Sequence, residues 1–281
     1  MNDPFTVRVM DRREIALAGD WAAAEGWNPG LDDPACFATA DPEGFYIGEL
    51  DGAAASTISV VNYDDRFAFL GFYIVRPDLR GRGYGLRTWQ TAIAHAGSRT
   101  VGLDGVLTQQ DNYRKSGFAL AHRNIRFGGV PAVPPASPQG LVSLAEIPFA
   151  AIEADDATVF PAPRASFLRA WIGASGHVGR ALVRDGRLAA WGVIRPCRKG
   201  HKIGPLVAND RSAAEAVLAG LIASAGCGEV FLDVIEPNRN AVALAQALGL
   251  EPIFETARMY TGAIRPVALS RIFGITTFEL G

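Results

Sequence analysis

Residues 75–85 read VRPDLRGRGYG, with three glycines and three arginines directly after the apolar run FAFLGFYIV (67–75). Glycine lets a backbone approach a ligand closely and adopt conformations barred to other residues. A turn that opens a helix aims its free N–H groups at whatever lies before it. Those groups and the helix dipole favour an anion, phosphate above all. Arg80 and Arg82 add charge-assisted donors. Gly81, Gly83 and Gly85 therefore form a candidate pyrophosphate cradle. Two familiar phosphate loops do not fit. A Walker loop ends in Gly-Lys-Ser/Thr, and Gly85 is followed by Leu86 and Arg87. A dinucleotide-binding turn follows the first strand of a doubly wound sheet. This one follows what reads as a fourth strand, itself preceded by a hairpin.

The elements around the turn can be read from pattern. Residues 4–10 alternate like a strand. Residues 11–27 read as an Ala-rich helix with Asp11 in the N-cap role, stopped by the Trp-Asn-Pro-Gly sequence at 27–30. A short helix fits 31–40. Residues 44–63 hold two strands around Asp51-Gly52, a hairpin signal. The run 66–75 is apolar enough to predict a central strand buried on both faces. After the turn, Leu86, Trp89, Gln90, Ile93 and Ala94 recur at helical spacing. A strand (100–107), a short helix ending at Gly117 (110–118) and a returning strand (119–129) follow.

Residues 128–140, GGVPAVPPASPQG, carry no charge and four prolines, and read as a semi-rigid linker. Beyond it the order repeats. Helices near 147–154 and 164–175 precede a hairpin around Asp185-Gly186 and the strand KIGPLVA. A helix (210–225), the strand EVFLDVI, a helix (238–248) and the strand PIFETARMY complete the series. The expectation is two α/β domains of similar topology, at 1–130 and 142–281, joined by a linker at 131–141. Each would have a mixed sheet, antiparallel at the start and parallel across the strand–helix–strand crossovers.

Bulk properties narrow the function class. With a net charge of −2 and a pI near 6.1, a broad nucleic-acid surface is not expected. The apolar share of 49% and charged share of 20% suit a globular core. Cys36, Cys197 and Cys227 are far apart and odd in number, which suggests reduced thiols of a cytoplasmic protein. No stretch reads as a signal peptide or a bilayer span. None of His95, His122, His177 and His201 shows metal-ligand spacing, and His95 reads as a helix-end cation.

The sequence resembles the GNAT superfamily of acyl-CoA-dependent N-acyltransferases. The resemblance rests on Arg80-Gly81-Arg82-Gly83-Tyr84-Gly85, which matches that family's Arg/Gln-x-x-Gly-x-Gly/Ala loop after the fourth strand. It rests also on Tyr113-Arg114-Lys115-Ser116-Gly117-Phe118, which matches the later Tyr-x-Lys-x-Gly-Phe motif, one helix and one strand further on. It covers residues 4–130. The whole chain is similar to a bacterial subgroup of two-domain members whose second half is a degenerate GNAT-like fold. In that half KIGPLVANDRSAAEAVLAG (202–220) lacks any Gly-x-Gly. One cofactor site per chain is expected, with the second domain capping the acceptor site or forming an interface.

The resemblance implies acetyl-CoA or another acyl-CoA as co-substrate, no metal, and a small-molecule amine as acceptor. A nucleic acid or a membrane is not implied, and a homodimer is left open. Amides of Arg80, Gly81, Arg82, Gly83, Tyr84 and Gly85 would bind pyrophosphate, with Asn112 nearby. Phe72, Tyr73, Ile74 and Val75 would pair with the pantetheine arm. Tyr113 would be the general acid for the departing thiolate, whose ordinary thiol pKa is about 8.5; as a plain helix residue it would simply pack under the sheet. Glu25 and Asp104 are candidate bases, or else surface and capping carboxylates. Trp27 and Asn28 are candidate acceptor-pocket residues, or else core and turn. A module that binds acyl-CoA without chemistry is the rival reading.

Overall fold

A computed structural model describes residues 4–132, 140–226 and 228–281. Cys227 and most of the expected linker (133–139) lie outside the described residues. The first half runs β1 (Phe5–Val9), α1 (Ile15–Ala24), α2 (Asp33–Phe37), β2 (Phe45–Leu50), β3 (Ala53–Asn62), β4 (Phe67–Val75), α3 (Tyr84–Ile93), β5 (Thr100–Val106), α4 (Gln110–Lys115) and β6 (Ala119–Gly129). The second half runs β7 (Leu141–Ser143), α5 (Phe149–Asp156), α6 (Ala165–Gly173), β8 (Val178–Arg184), β9 (Arg187–Pro196), β10 (His201–Ala208), α7 (Arg211–Ala225), β11 (Val230–Ile235), α8 (Arg239–Ala247), β12 (Glu251–Tyr260) and β13 (Ile272–Gly274). Up to β12 the two halves repeat the same order of elements.

Local chemistry explains most of these elements. Both hairpins turn on Asp-Gly pairs: Asp51 has φ 51° and Gly52 φ 77°, and Asp185 has φ 52° and Gly186 φ 71°.

 Both turns thus have positive φ at both central residues, the conformation that matches the twist of a two-residue hairpin. Asp210 caps α7 by accepting the Ala213 N–H at 2.8 Å, and Asn238 caps α8 through the Ala241 N–H. The N-cap reading of Asp11 is corrected. Instead the Glu14 carboxylate turns back to accept hydrogen bonds from the Asp11 N–H and from both Nη atoms of Arg8, so α1 starts later than its pattern suggests.

The thirteen strands of the described residues lie in one sheet, in the order β1-β2-β3-β4-β5-β12-β6-β11-β10-β9-β8-β7, with β13 added beside β10. Among the described residues only β4–β5 and β10–β11 pair in parallel. The centre of the sheet is an exchange of strands. β12 of the second half sits between β5 and β6, with Thr256 opposite Val106. β6 of the first half in turn sits between β12 and β11, with Ile125 opposite Val234. The expected division at 131–141 therefore separates the sequence, while in the sheet each half borrows a strand from the other.

Packing joins the halves as well. One hydrophobic core holds Phe37 and Phe72 of the first half with Phe167, Trp171 and Trp191 of the second. The rings of Phe37 and Trp171 stack at 6.1 Å. Among the described residues three ion pairs with buried side chains cross between the halves: Asp33 with Arg195, Arg126 with Asp233, and Asp104 with Arg258. Cys36 and Cys197 are free, buried thiols.

Candidate active site

The run at 67–75 is buried on both faces only in its first part, which corrects the expectation of a fully buried strand. β4 pairs with β5 from Phe67 opposite Thr100 to Leu70 opposite Leu103, and there the pairing stops. Gly71–Val75 and Asp104–Val106 then diverge. A β-bulge sets the point of departure. On the β3 side Thr57 faces Ile74 and Ser59 faces Gly71, so Ile58 alone stands opposite Phe72 and Tyr73. Phe72 takes φ 47°, a conformation that an L side chain adopts at a cost. Thr57 steadies it by donating from Oγ1 to the Phe72 carbonyl at 2.9 Å.

The divergence opens a cleft of about 410 Å³. Phe72, Tyr73, Ile74, Val75, Arg80, Tyr113, Glu25, Trp27 and Asp104 all line it. In the sequence these residues lie in four separate stretches, at 25–27, 72–80, 104 and 113.

The glycine turn leads from the end of β4 into α3. Gly81 and Gly83 have φ 75° and 87°, and a Cβ on either would touch nothing. They are needed for backbone conformation. Gly85 is needed for space: its Cβ would lie 2.7 Å from Tyr73 Oη and 2.8 Å from Val75 Cγ2. Gly83 is the N-cap of α3 and supplies no side chain, so the first amides of this ten-residue helix are left open. Arg80 is tied down at both ends of its guanidinium, donating from Nε to the Val75 carbonyl at 2.9 Å and pairing with Glu25. Arg82 is exposed. The Tyr84 ring packs on Phe5 at 4.8 Å.

Tyr113 projects from α4 and is 8% exposed. Its ring stacks on Trp89 at 6.0 Å and lies flat over β5, where Gly105 makes room: a Cβ there would come within 2.3 Å of Tyr113 Cε2. Among the described residues the phenol has no hydrogen-bond partner. Burial, with a smaller contribution from Tyr73, pushes its pKa up to about 12. It stays protonated across the neutral range and has a proton to give.

Other candidates take structural duties. Both carboxylate oxygens of Asp104 accept from Arg258 at 2.7 Å, and Oδ1 accepts also from Asn124. That leaves the Asp104 carboxylate committed to a charge pair, so its assignment as a base is corrected. Glu25 stands with Arg80 on the cleft wall. Asn28 is corrected too. Its amide clasps the main chain of Lys199, donating to the carbonyl and accepting from the N–H, both at 3.0 Å, and it is absent from the cleft lining. Asn112 is exposed and is not itself in the cleft lining, but it donates to Gln109, which is.

The structure adds residues that the sequence did not point to. Phe254 and Thr256 of β12, and Phe278 and Glu279 after β13, complete the cleft. The Glu279 main chain lies so close to the bulge that a Cβ on Gly71 would be 2.1 Å from its carbonyl oxygen. Burial raises the pKa of Glu279 and lowers that of Lys202 behind it. The available signal was a single charge in an otherwise uncharged closing stretch, FGITTFEL (273–280).

Among the described residues the matching gap in the second half is closed, for two visible reasons. β10 and β11 also part, after Ile203 opposite Leu232. The chain's own β13 fills that gap, pairing with β10 at Leu206 and Val207, while the Ile275 N–H bonds to Asp233 O on β11. The helix that follows β10 is α7, whose amides are capped by the carboxylate of Asp210. A negative side chain now occupies the place where open amides would favour an anion.

These features define a GNAT fold, repeated. The chain belongs to the GNAT acyltransferase family. Residues 13–119 match the family described as Acetyltransferase (GNAT) family, and residues 152–274 match Acetyltransferase (GNAT) domain. The chain is 32% identical to holothin acyltransferase of Pseudoalteromonas sp. (strain SANK 73390), over 99% of this chain and 95% of that protein. Its fold is similar to a putative acetyltransferase from Pyrococcus horikoshii, with a TM-score of 0.84, 19% identity, and coverage of 100% of this chain and 97% of that one. It is also similar to a tandem GNAT protein from the clavulanic acid biosynthesis pathway, with a TM-score of 0.62, 19% identity, and coverage of 92% and 99%. Among the described residues no helix is long and apolar enough to cross a membrane.

Proposed function

We propose that this chain is an acyl-CoA-dependent N-acyltransferase that moves a short acyl group to the amine of a small molecule, with one active site, in its first half. The observation that carries this reading is the sequence of features along β4. The strand leaves β5 after Leu70, the cleft so opened is lined from Leu70 through Val75 to Arg80 with the buried Tyr113 on its wall, and the turn directly after Arg80 opens α3 with a glycine cap. The donor's contribution is an acyl group on sulfur. The amides that open α3 suit its pyrophosphate, and the main chain of Phe72–Val75 suits the amide groups of its pantetheine arm. Tyr113 is placed to hold a proton for the departing sulfur.

The acceptor is proposed as a small molecule because about 410 Å³ is the size of a small-ligand site. The relative's name supports the same class, since it designates holothin as what that protein acylates.

Free-thiol release from acetyl-CoA across a panel of small amines tests the reading. Turnover with at least one amine is expected, and Tyr113→Phe should lower kcat by roughly 100-fold, the usual share of a general acid. A chain that binds CoA but turns over no amine, with Tyr113→Phe silent, would instead be the non-catalytic module.

A further inference from the structure

We propose that Glu279 receives the acceptor's amino group and takes its proton, so that the segment after β13 completes the active site of the first half. This inference rests on the acyl-transfer reading above and supplies the base which that reading lacks.

The cleft walls are mostly apolar, from Trp27, Leu70, Phe72, Leu103, Phe254 and Phe278. Three carboxylates reach it. Asp104 is fully engaged by Arg258 and Asn124. Glu25 is paired with Arg80, which adjoins the phosphate-type turn. Glu279 is different. It is 3% exposed, and its Oε1 is buried with no hydrogen-bond partner among the described residues. An unpartnered buried carboxylate oxygen is costly to keep, and an N–H donor entering the cleft would satisfy it. Thr256 Oγ1, also a lining residue, is a second buried polar atom without a partner. Two unsatisfied groups on an apolar cleft describe a compact, apolar acceptor with one amino group.

The position also suits acyl transfer. Glu279 lies against Gly71, at the bulge where β4 leaves β5 and the two strands begin to open. Lys202 of β10, Arg126 of β6 and Asp33 of α2 are the charged groups that act on it. Burial raises its proton affinity by more than Lys202 and Arg126 lower it, which makes its carboxylate a stronger base than an ordinary glutamate.

The step balances. The amine nitrogen's lone pair forms the C–N bond to the thioester carbonyl carbon. The C–S bond breaks, and its electron pair leaves on sulfur. Glu279 takes one proton from nitrogen, and Tyr113 gives one to sulfur. The products are an amide and a free thiol, and exchange with solvent restores both side chains.

The test uses the full chain, acetyl-CoA and the best amine of the panel. Glu279→Gln should lower kcat/KM by about 100-fold or more, while acetyl-CoA still binds by calorimetry. The acid limb of the wild-type kcat/KM profile should lie above the ordinary glutamate range and vanish in the Gln variant. Glu279→Asp should recover part of the rate. A Gln variant within about threefold of wild type, with its acid limb intact, overturns the inference alone. If the Gln variant does not fold, the wild-type profile decides, and the absence of an acid limb above that range overturns it. No turnover by wild type on any amine overturns the acyl-transfer reading and this inference together.

Discussion

Glycines that look interchangeable in the sequence do separate jobs in the cleft. Gly81 and Gly83 give the turn its handedness, and Gly85 and Gly71 let Tyr73 and Glu279 pass close to main chain. Gly105 bears directly on Tyr113, because the Tyr113 ring rests where its Cβ would be. In Gly105→Ala the new methyl would force the ring away from a 2.3 Å approach. Overpacking of this kind costs about 1–3 kcal/mol, and a catalytic group misplaced by about 1 Å loses on the order of 100-fold in rate. The expected outcome is a large fall in kcat with acetyl-CoA affinity nearly unchanged, measured by steady-state kinetics beside calorimetry. Tyr113 itself was legible in the sequence because a local motif surrounds it. Glu279 was not, since nothing near it in sequence reports that the chain returns to β4.

Elements follow the same logic of pattern and length. The Asp-Gly hairpins, the helical periodicity of α3 and α7 and the apolar run of β4 were readable because each carries its own local signal. β7 and β13 have three residues each, too few to show a period, and the opening of β4 from β5 depends on a bulge set by pairing with β3. The missing Gly-x-Gly of the second half was visible. That β13 fills the matching gap was not, because strand insertion is a tertiary event. The two halves therefore make a paired comparison. One helix after a fourth strand is capped by glycine alone, and the other by the Asp210 carboxylate. One chain should accordingly bind one acetyl-CoA in a calorimetric titration. Asp210→Ala should cost about 1 kcal/mol of stability, as lost caps do, seen as a lower Tm, without changing that stoichiometry or affinity.

At the scale of the whole molecule, strand exchange makes the halves interdependent despite their repeated pattern. A fragment of residues 1–130 would lack β12, leaving facing edges of β5 and β6 unpaired, and open edges of this kind promote association. It would also leave Asp33, Asp104 and Arg126 buried or half-buried without Arg195, Arg258 and Asp233. Losing one partner of a buried pair costs roughly 3–5 kcal/mol, and a domain's total stability is only about 5–15 kcal/mol. The fragment would further lose Phe278 and Glu279 from the cleft wall. Expressed alone, residues 1–130 should be insoluble or unfolded by circular dichroism and inactive. Co-expressed with residues 142–281, they should form a one-to-one complex with recovered thiol release. A soluble, active 1–130 fragment would mean that the first half closes its own sheet, and that neither β12 nor Glu279 is needed for acyl transfer.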